Sequence, residues 1–582
     1  VNVLGAFTGG GSSAGKSADK MQNYELRNLT TMSLGKHTVM FGGRIININD
    51  SNSSDSNFNG AFSFPTLDAY QIMEKGLAQG LTFDQIRAAG GGPNQFSIVS
   101  GNPAATINWV SFSLYGEDQW RVRPNLSLSL GMRFEAQTHI ADHTDFAPRL
   151  GLAWGIGGGK APKTVLRAGF GMFYDRFEYE NLLHAERMNG VNQLNYLITN
   201  PNFFPTPPPT DTLASLGGSA LTPAVYNVDS SLRAPYTIES AVGLERQISK
   251  NITASVTYLN SHGVHQLLTR NINTPLPGQY DPANPALGRP FGGTSACAVA
   301  SAVPNCTDGF VGNIFQFESD GLYNQNELIS NFNVNEGRLL TLFGYYTLNY
   351  ADSDTNGAGS QVSNPYDILA DYGRASFDVR HRAVIGGALT LPYGFRFMPF
   401  VHLSSGGPFN ITLGRDLLGT SVFNQRPAFA ASGETGPNII MTPLGNFNAA
   451  PLPGAALIPI NYGDGPAEFT VNARLSKTFG FGERKGGEGG GFGGGGFHHG
   501  GGLGGRGLSG GGGHNFWRTP DNARYNLTFS VGVRNIFNIV NLGTPVGNLG
   551  SPIFGTSNTI SGCRFCSQAS NRRVDLQMRF SF

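Results

Sequence analysis

Apolar and polar residues take turns, one by one, at the end of this chain. Val574, Leu576, Met578, Phe580 and Phe582 alternate with Asp575, Gln577, Arg579 and Ser581. Successive side chains of a β-strand point to opposite faces, so the segment predicts a strand with one oily and one wet face. In a water-soluble sandwich the oily face turns inward. In a membrane barrel it turns outward to lipid, and the lumen is the polar side. The same period returns at Leu126, Leu128, Leu130, Met132 and Phe134, and at Leu166, Ala168, Phe170, Met172 and Tyr174. It returns again at Phe469, Val471, Ala473 and Leu475, and at Tyr525, Leu527, Phe529, Val531 and Val533. One such segment of roughly ten residues is a weak signal; many together are the signature of a transmembrane barrel.

Fifteen strands are expected, at 22–34, 37–49, 107–122, 125–138, 146–156, 164–176, 236–248, 251–262, 322–335, 338–351, 376–391, 394–405, 467–479, 524–538 and 571–582. Residues 1–8 read as the remnant of a sixteenth. The connections alternate in length, as bacterial barrels require. With the last strand running down to the periplasm, the short turns are Leu34–Lys36, Arg123–Asn125, Gly157–Lys163, Ser249–Asn251, Asn335–Gly337 and Leu391–Gly394. The outer loops are 50–106, 139–145, 177–235, 263–321, 352–375, 406–466 and 539–570, long in every case but one. The expected fold is all-β: a large antiparallel transmembrane barrel with long outer loops and short periplasmic turns. In loop 50–106, Leu67, Tyr70, Met73, Leu77 and Leu81 recur at helical spacing and predict one or two short helices on the rim.

Composition agrees. Only 14% of the 582 residues are charged, against about 25% in ordinary soluble chains, while aromatics reach 11% with 41 Phe. Net charge is +1 and no basic stripe stands out, so nucleic acid is not an expected partner. No apolar run approaches the roughly 18 residues of a spanning helix, so any crossing is made by strands. The chain begins at Val1 with no signal peptide and reads as a piece whose N-terminal part, including any plug, is missing.

One connection breaks the parity. The stretch 485–513, on the periplasmic side, is mostly Gly with a His498–His499 pair, and reads as a disordered insert. Adjacent histidines on a floppy chain lack the fixed geometry of a metal site. The four cysteines form two close pairs in outer loops, Cys297 with Cys306 and Cys563 with Cys566. A local disulfide in each loop is the leading reading; a redox or zinc role for the Cys-x-x-Cys pair is the alternative. His139, His143 and Asp145 share a short outer hairpin that reads as solvated loop, with metal binding as the alternative. No nucleophile-elbow pattern or phosphate loop is found, so no catalytic residue, metal or cofactor is expected. Trp120 sits near a periplasmic turn, and Tyr174, Phe177, Tyr346 and Tyr350 near the other end, as two aromatic girdles would require. Lumenal Arg133, Arg167, Arg474, Arg534 and Arg579 are expected to pair with acids such as Glu135 and Asp575.

The run Tyr115-Gly116-Glu117-Asp118-Gln119-Trp120-Arg121-Val122-Arg123-Pro124-Asn125-Leu126 resembles a pattern of TonB-dependent receptors. Phe146–Gly151, Thr164–Asp175, Asp371-Tyr372-Gly373-Arg374 and Gly532–Asn538 extend the resemblance to the Oar-like branch. The resemblance implies a 22-strand barrel behind a carboxypeptidase-regulatory-like domain and a plug, in the outer membrane of a Gram-negative bacterium. It implies outer-membrane lipid and an unidentified bulky solute as partners, and the TonB complex through the missing N-terminal part. Phe580 and Phe582 resemble the C-terminal signal read by the barrel-assembly machinery. Two functions follow as expectations, energised uptake or a structural or adhesive surface role.

Overall fold

Strict alternation leaves no 3.6-residue stripe for a helix to bury, and strands form where it occurs. The computed structural model describes all residues except 5, 12–13, 158–161, 210–220, 283, 285, 292–311, 453, 484–522 and 562–569. The long wall strands are β1 (Ser17–Leu34), β2 (His37–Ser54), β3 (Ala104–Arg123), β4 (Leu126–Gln137) and β5 (Asp145–Ile156). They continue as β6 (Thr164–Tyr174), β7 (Tyr236–Ser249), β8 (Ile252–Asn271), β9 (Asn313–Glu336) and β10 (Leu340–Ser353). The last are β11 (His381–Thr390), β12 (Phe395–Ser404), β13 (Glu468–Glu483), β14 (Ala523–Arg534) and β15 (Arg573–Ser581). Each pairs antiparallel with the next. No helix is long and apolar enough to cross a membrane.

The turns on one side are tight. Leu34 pairs with His37 across Gly35–Lys36, where Gly35 takes a φ of 64° that the reversal needs. Ser249 pairs with Ile252 in the same way. All the long connections among the described residues lie on the other side, in the expected order.

The oily face looks outward. Leu114, Met132, Leu150, Val242, Val256 and Phe529 are exposed, whereas Ser111, Ser113, Thr257, Asn349, Thr470 and Ser530, on the opposite face, are buried. A sandwich would do the reverse. The outward membrane-facing stretch of β3 runs from Val110 to Trp120, with Asp118 beside His37 near its lower end. That is about 33 Å of extended chain, or roughly 25 Å of height once tilted, which matches an outer-membrane apolar band.

The strands are taller than the sequence windows because several continue above the membrane. There the oily side changes face. On β3, Ile107 and Trp109 are buried on the lumenal side while Thr106 and Asn108 face out. On β2, Ile45 faces out and Ile46 and Ile48 face in. Once lipid gives way to water, apolar side chains gain by turning toward protein.

What they turn toward is a cap built from the outer loops. Short strands at Ala61–Phe64, Gln95–Gly101, Gln193–Thr199 and Leu221–Val228 form an antiparallel sheet. It joins the wall where Leu221–Val228 runs parallel to the upper end of β9. Helix α1 (Leu67–Ala78) occurs where the helical spacing places it, Leu81 lies just past its end, and a second helix, α2 (Phe83–Ala88), follows; each is capped by a threonine, Thr66 and Thr82. Met73, Ile86, Phe64, Phe96, Ile198 and Phe204 pack into one core beneath them.

Residues 1–8 are not a wall strand. Asn2–Val3 runs parallel to Ser63–Phe64 and antiparallel to Phe7–Thr8, and Val3 is buried in the cap core. Val1 and Ala6 pack against the same core. Among the described residues β1 pairs only with β2 and β15 only with β14, so the wall keeps two free edges. The cap closes over this gap: Asn548 Nδ2 donates to Pro65 O at 2.6 Å, joining the last outer loop to the first.

Candidate functional site: the lumen and its outer mouth

The inward face carries a ladder of opposite charges. Arg44 holds Glu25 through Nε at 2.8 Å and Nη2 at 3.1 Å. Arg133 meets Glu135 at 2.5 Å, with Arg176 3.8 Å from the same carboxylate. Arg167 and Glu245 lie 3.5 Å apart, and Arg534 and Arg573 share Asp575 at 3.1 and 2.9 Å. The expected pairings of Arg133, Arg167 and Arg534 therefore exist, and Arg474 is engaged as well. These pairs keep the lumen polar and wet at little net charge.

Higher up, a helix packs against the inner side of the wall. α3 (Tyr179–Arg187) lies on the lumenal side of β2 and β3. Tyr179 and Leu182 pack against Ile46, Ile48 and Trp109, and Leu183 against Ala105 and Ile107. Trp109 Nε1 donates to Phe177 O at 3.2 Å, and Arg187 donates to Asn52. Phe177 is fully buried and meets Phe317 edge to face, so it belongs to this packed loop and not to a girdle, contrary to expectation. Burial pushes the His184 imidazole down to about 4, helped by Arg187. Burial also raises the Glu178 carboxyl, with Asp175 and Glu180 adding to it. The α3 segment therefore keeps its histidine neutral at pH 7.

Two buried arginines stitch the loops together. Arg426 donates to Ile458 O at 2.8 Å and to the Asp371 carboxylate at 2.8 Å. Arg289 donates to Asn273 O at 2.7 Å and Gly419 O at 2.9 Å, and burial pushes it down to about 10. A cavity of about 790 Å³ opens beside β10–β13, lined by Tyr345, Arg382, His402, Ser404 and Glu468 among others.

Outward, the aromatic levels are real. Trp120 stacks on His37 at 5.5 Å, and the rings of Phe481, Tyr525 and Phe580 stack at 5.7 and 6.0 Å near the periplasmic turns. Tyr174 meets Tyr236 at 5.2 Å, and Arg380 lies over Tyr350 at 3.9 Å, at the outer level. Phe580 and Phe582 both face out and are exposed. His139 Nε2 donates to Asn108 O at 2.8 Å, while Asp145 is buried on the lumenal side opposite Glu135. The hairpin histidine and this acid thus serve different faces. Cys297, Cys306, Cys563, Cys566 and the stretch 485–513 lie outside the described residues.

The sequence matches the family described as outer membrane beta barrel domain over residues 1–145 and 140–487. The chain belongs to that family. The barrel therefore sits in the outer membrane of a Gram-negative bacterium. A search of curated proteins gave no match. Among solved structures, the barrel is similar to the outer membrane transporter YddB from Escherichia coli, at 14% identity and a TM-score of 0.48, covering 97% of this chain and 54% of that one. It is similar to a mutant ferric enterobactin receptor, PfeA, from Pseudomonas aeruginosa at 10% identity and 0.46, covering 97% and 53%. A third is the siderophore receptor PirA from Acinetobacter baumannii, at 11% identity and 0.45, covering 92% and 52%. The barrel spans about half the length of these structures.

The mouth helix, Trp109 and the buried Arg289 and Arg426 were not singled out from the sequence. A signal existed for the first two. Ile45–Ile46 and Trp109–Val110 are apolar doublets that break the alternation where the oily side changes face.

Proposed function

We propose that this chain forms most of the wall of a TonB-energised receptor of the Oar-like branch, which takes up a bulky solute. One observation carries the reading. At the outer mouth of a polar lumen a helix, α3, is packed against the wall on Ile46, Ile48 and Trp109. A gated importer needs a packed element there that can be displaced. The free edges of β1 and β15 support completion of the wall by further strands, about seven if the barrel has 22 as the resemblance implies. In this reading 1–582 is a partial barrel, the plug and regulatory-like domain are encoded upstream, and the Gly-rich 485–513 hangs into the periplasm. Outer-membrane lipid and the assembly machinery are its other partners, the latter through Phe580 and Phe582. Each cysteine pair, Cys297–Cys306 and Cys563–Cys566, is proposed as a disulfide. No enzymatic role is proposed.

The test is growth of a strain lacking the whole gene on iron, vitamin, glycan and peptide sources, with and without TonB. A solute whose uptake needs both genes supports the reading; unchanged growth on all of them refutes it. The competing reading is an adhesive or structural surface protein. It is favoured by the outer hairpin bearing Met441, which is 81% exposed and available to a partner. A reading frame with no upstream plug or TonB-binding segment would select it.

A further inference from the structure

Where β10 ends, the chain runs Asp352-Ser353-Asp354-Thr355-Asn356-Gly357. Asp, Asp and Asn at alternate positions, followed by Gly, make the opening half of a calcium-binding loop. Gly357 takes a φ of 103°, which the sharp turn needs. The stretch departs from the full pattern at two points. Asp352 stays in the strand ladder opposite Arg374, and the twelfth position is Ser363 in place of a glutamate.

A polar cavity of about 210 Å³ lies against this stretch. Asp354, Asn356, Ser360 and Ser363, its third, fifth, ninth and twelfth positions, line it. Asp371 brings a second carboxylate, and Asn410, Asn424 and Asn461 bring amides from the next outer loop. Among the described residues no lysine, arginine or histidine lines it. Asp371 has its partners: Ser363 N donates to it at 2.6 Å and Arg426 at 2.8 Å. Asp354 is matched on one oxygen alone. It is 3% exposed, its Oδ1 accepts from Leu322 N at 2.7 Å, and its Oδ2 has no hydrogen-bond partner. A buried carboxylate so placed calls for a cation. Carboxylate, amide and hydroxyl oxygens suit a hard one, and irregular donors with room for water suit calcium better than magnesium, which demands a tight octahedron.

We propose that this cavity binds one calcium ion, held by Asp354 with amide and hydroxyl oxygens and water completing its shell, and that the ion staples outer loop 352–375 to outer loop 406–466. Both connections lie on the outer side of the wall, so the ion is drawn from the surrounding medium. Nothing in this rests on the uptake reading.

The test is hydrogen exchange on the intact receptor purified from outer membranes, stripped with EGTA and titrated at fixed pH with calcium or magnesium. Calcium should slow exchange in 353–363 and 410–424, half-maximally at about 0.1–1 mM, the range of extracellular calcium modules. Magnesium at the same concentrations should not. Asp354→Asn keeps an oxygen for Leu322 N and loses the charge; it should raise the calcium needed about tenfold. Asp84→Asn, at an exposed acid of α2, should change nothing. Heat-modifiable migration on gels checks that each variant is folded. If Asp354→Asn fails that check, Asn424→Ala, which removes one amide oxygen, should raise the calcium needed several-fold. Exchange unaltered by calcium overturns the site and leaves a cavity filled by water alone. Equal slowing by magnesium overturns the choice of ion. The same calcium response in the folded cavity variant as in the unmodified receptor overturns the place of the ion.

Discussion

Tyr115 lies across Gly42, its direct partner on the neighbouring strand, and its hydroxyl donates to Asn28 O one strand further at 2.8 Å. A side chain at Gly42 would stand 2.7 Å from that hydroxyl and 2.1 Å from Asn28 O. The glycine lets the ring bridge three strands at the β1 side of the wall.

Gly42→Ala should therefore force β1 and β2 apart and cost about 2 kcal/mol, the usual range for overpacking. Tyr115→Phe keeps the ring and loses one exposed hydrogen bond, for about 0.5 kcal/mol. Urea unfolding in lipid vesicles measures both. Equal effects would show that the hydroxyl, and not the space, holds the bridge.

Lys477 faces lipid yet reaches the carbonyl of Tyr393 at the periplasmic turn and sits 5.5 Å from the rings of Phe395 and Phe479. Its ammonium escapes the apolar band by snorkelling. Lys477→Leu should change stability by less than about 1 kcal/mol, whereas Met132→Lys, outward at mid-height, should cost about 2–4 kcal/mol. The same unfolding assay compares them.

Trp109 anchors the mouth segment through its buried ring and its bond to Phe177 O. Trp109→Ala should remove about 3 kcal/mol from that packing. Added protease should then cut near α3 on intact cells, with the wall strands still protected.

His184 is held neutral by burial between Tyr226 at 4.4 Å and Phe317 at 6.3 Å. Its value of about 4 lies below the ordinary 6.5, so the unfolded segment binds the proton more readily. The stability this group contributes is fully present above pH 6.5. It falls as pH drops toward 4 and is level below that, by about 3 kcal/mol at most. Protection factors of the α3 amides, taken against the intrinsic exchange rate at each pH, should fall over that window, and His184→Gln should remove the dependence.

Arg426 and Asp371 are an ion pair sealed inside the cap. Arg426→Met alone strands a buried carboxylate and should cost about 3–5 kcal/mol, while Arg426→Met with Asp371→Leu should recover most of it. A double-mutant cycle on thermal unfolding reads the difference.

The alternation of apolar and polar residues, and the parity of short and long connections, determined the wall. The fifteen wall strands, and the side of each connection among the described residues, were legible, because each strand's facing is settled locally by which face meets lipid. The first rim helix, α1, was legible too, from the spacing of Leu67, Tyr70, Met73 and Leu77. Only the tertiary structure decided that residues 1–8 enter the cap, that Phe177 leaves the girdle, and that α3 packs on the inner side of the wall. It alone brought Asp354 and Asn461 to one cavity and Arg426 to Asp371. Those contacts join residues far apart in the chain, through loops whose sequence carries no period. Strand facing is a partition between two solvents that each residue makes on its own, whereas loop packing depends on which surfaces the finished wall brings within reach.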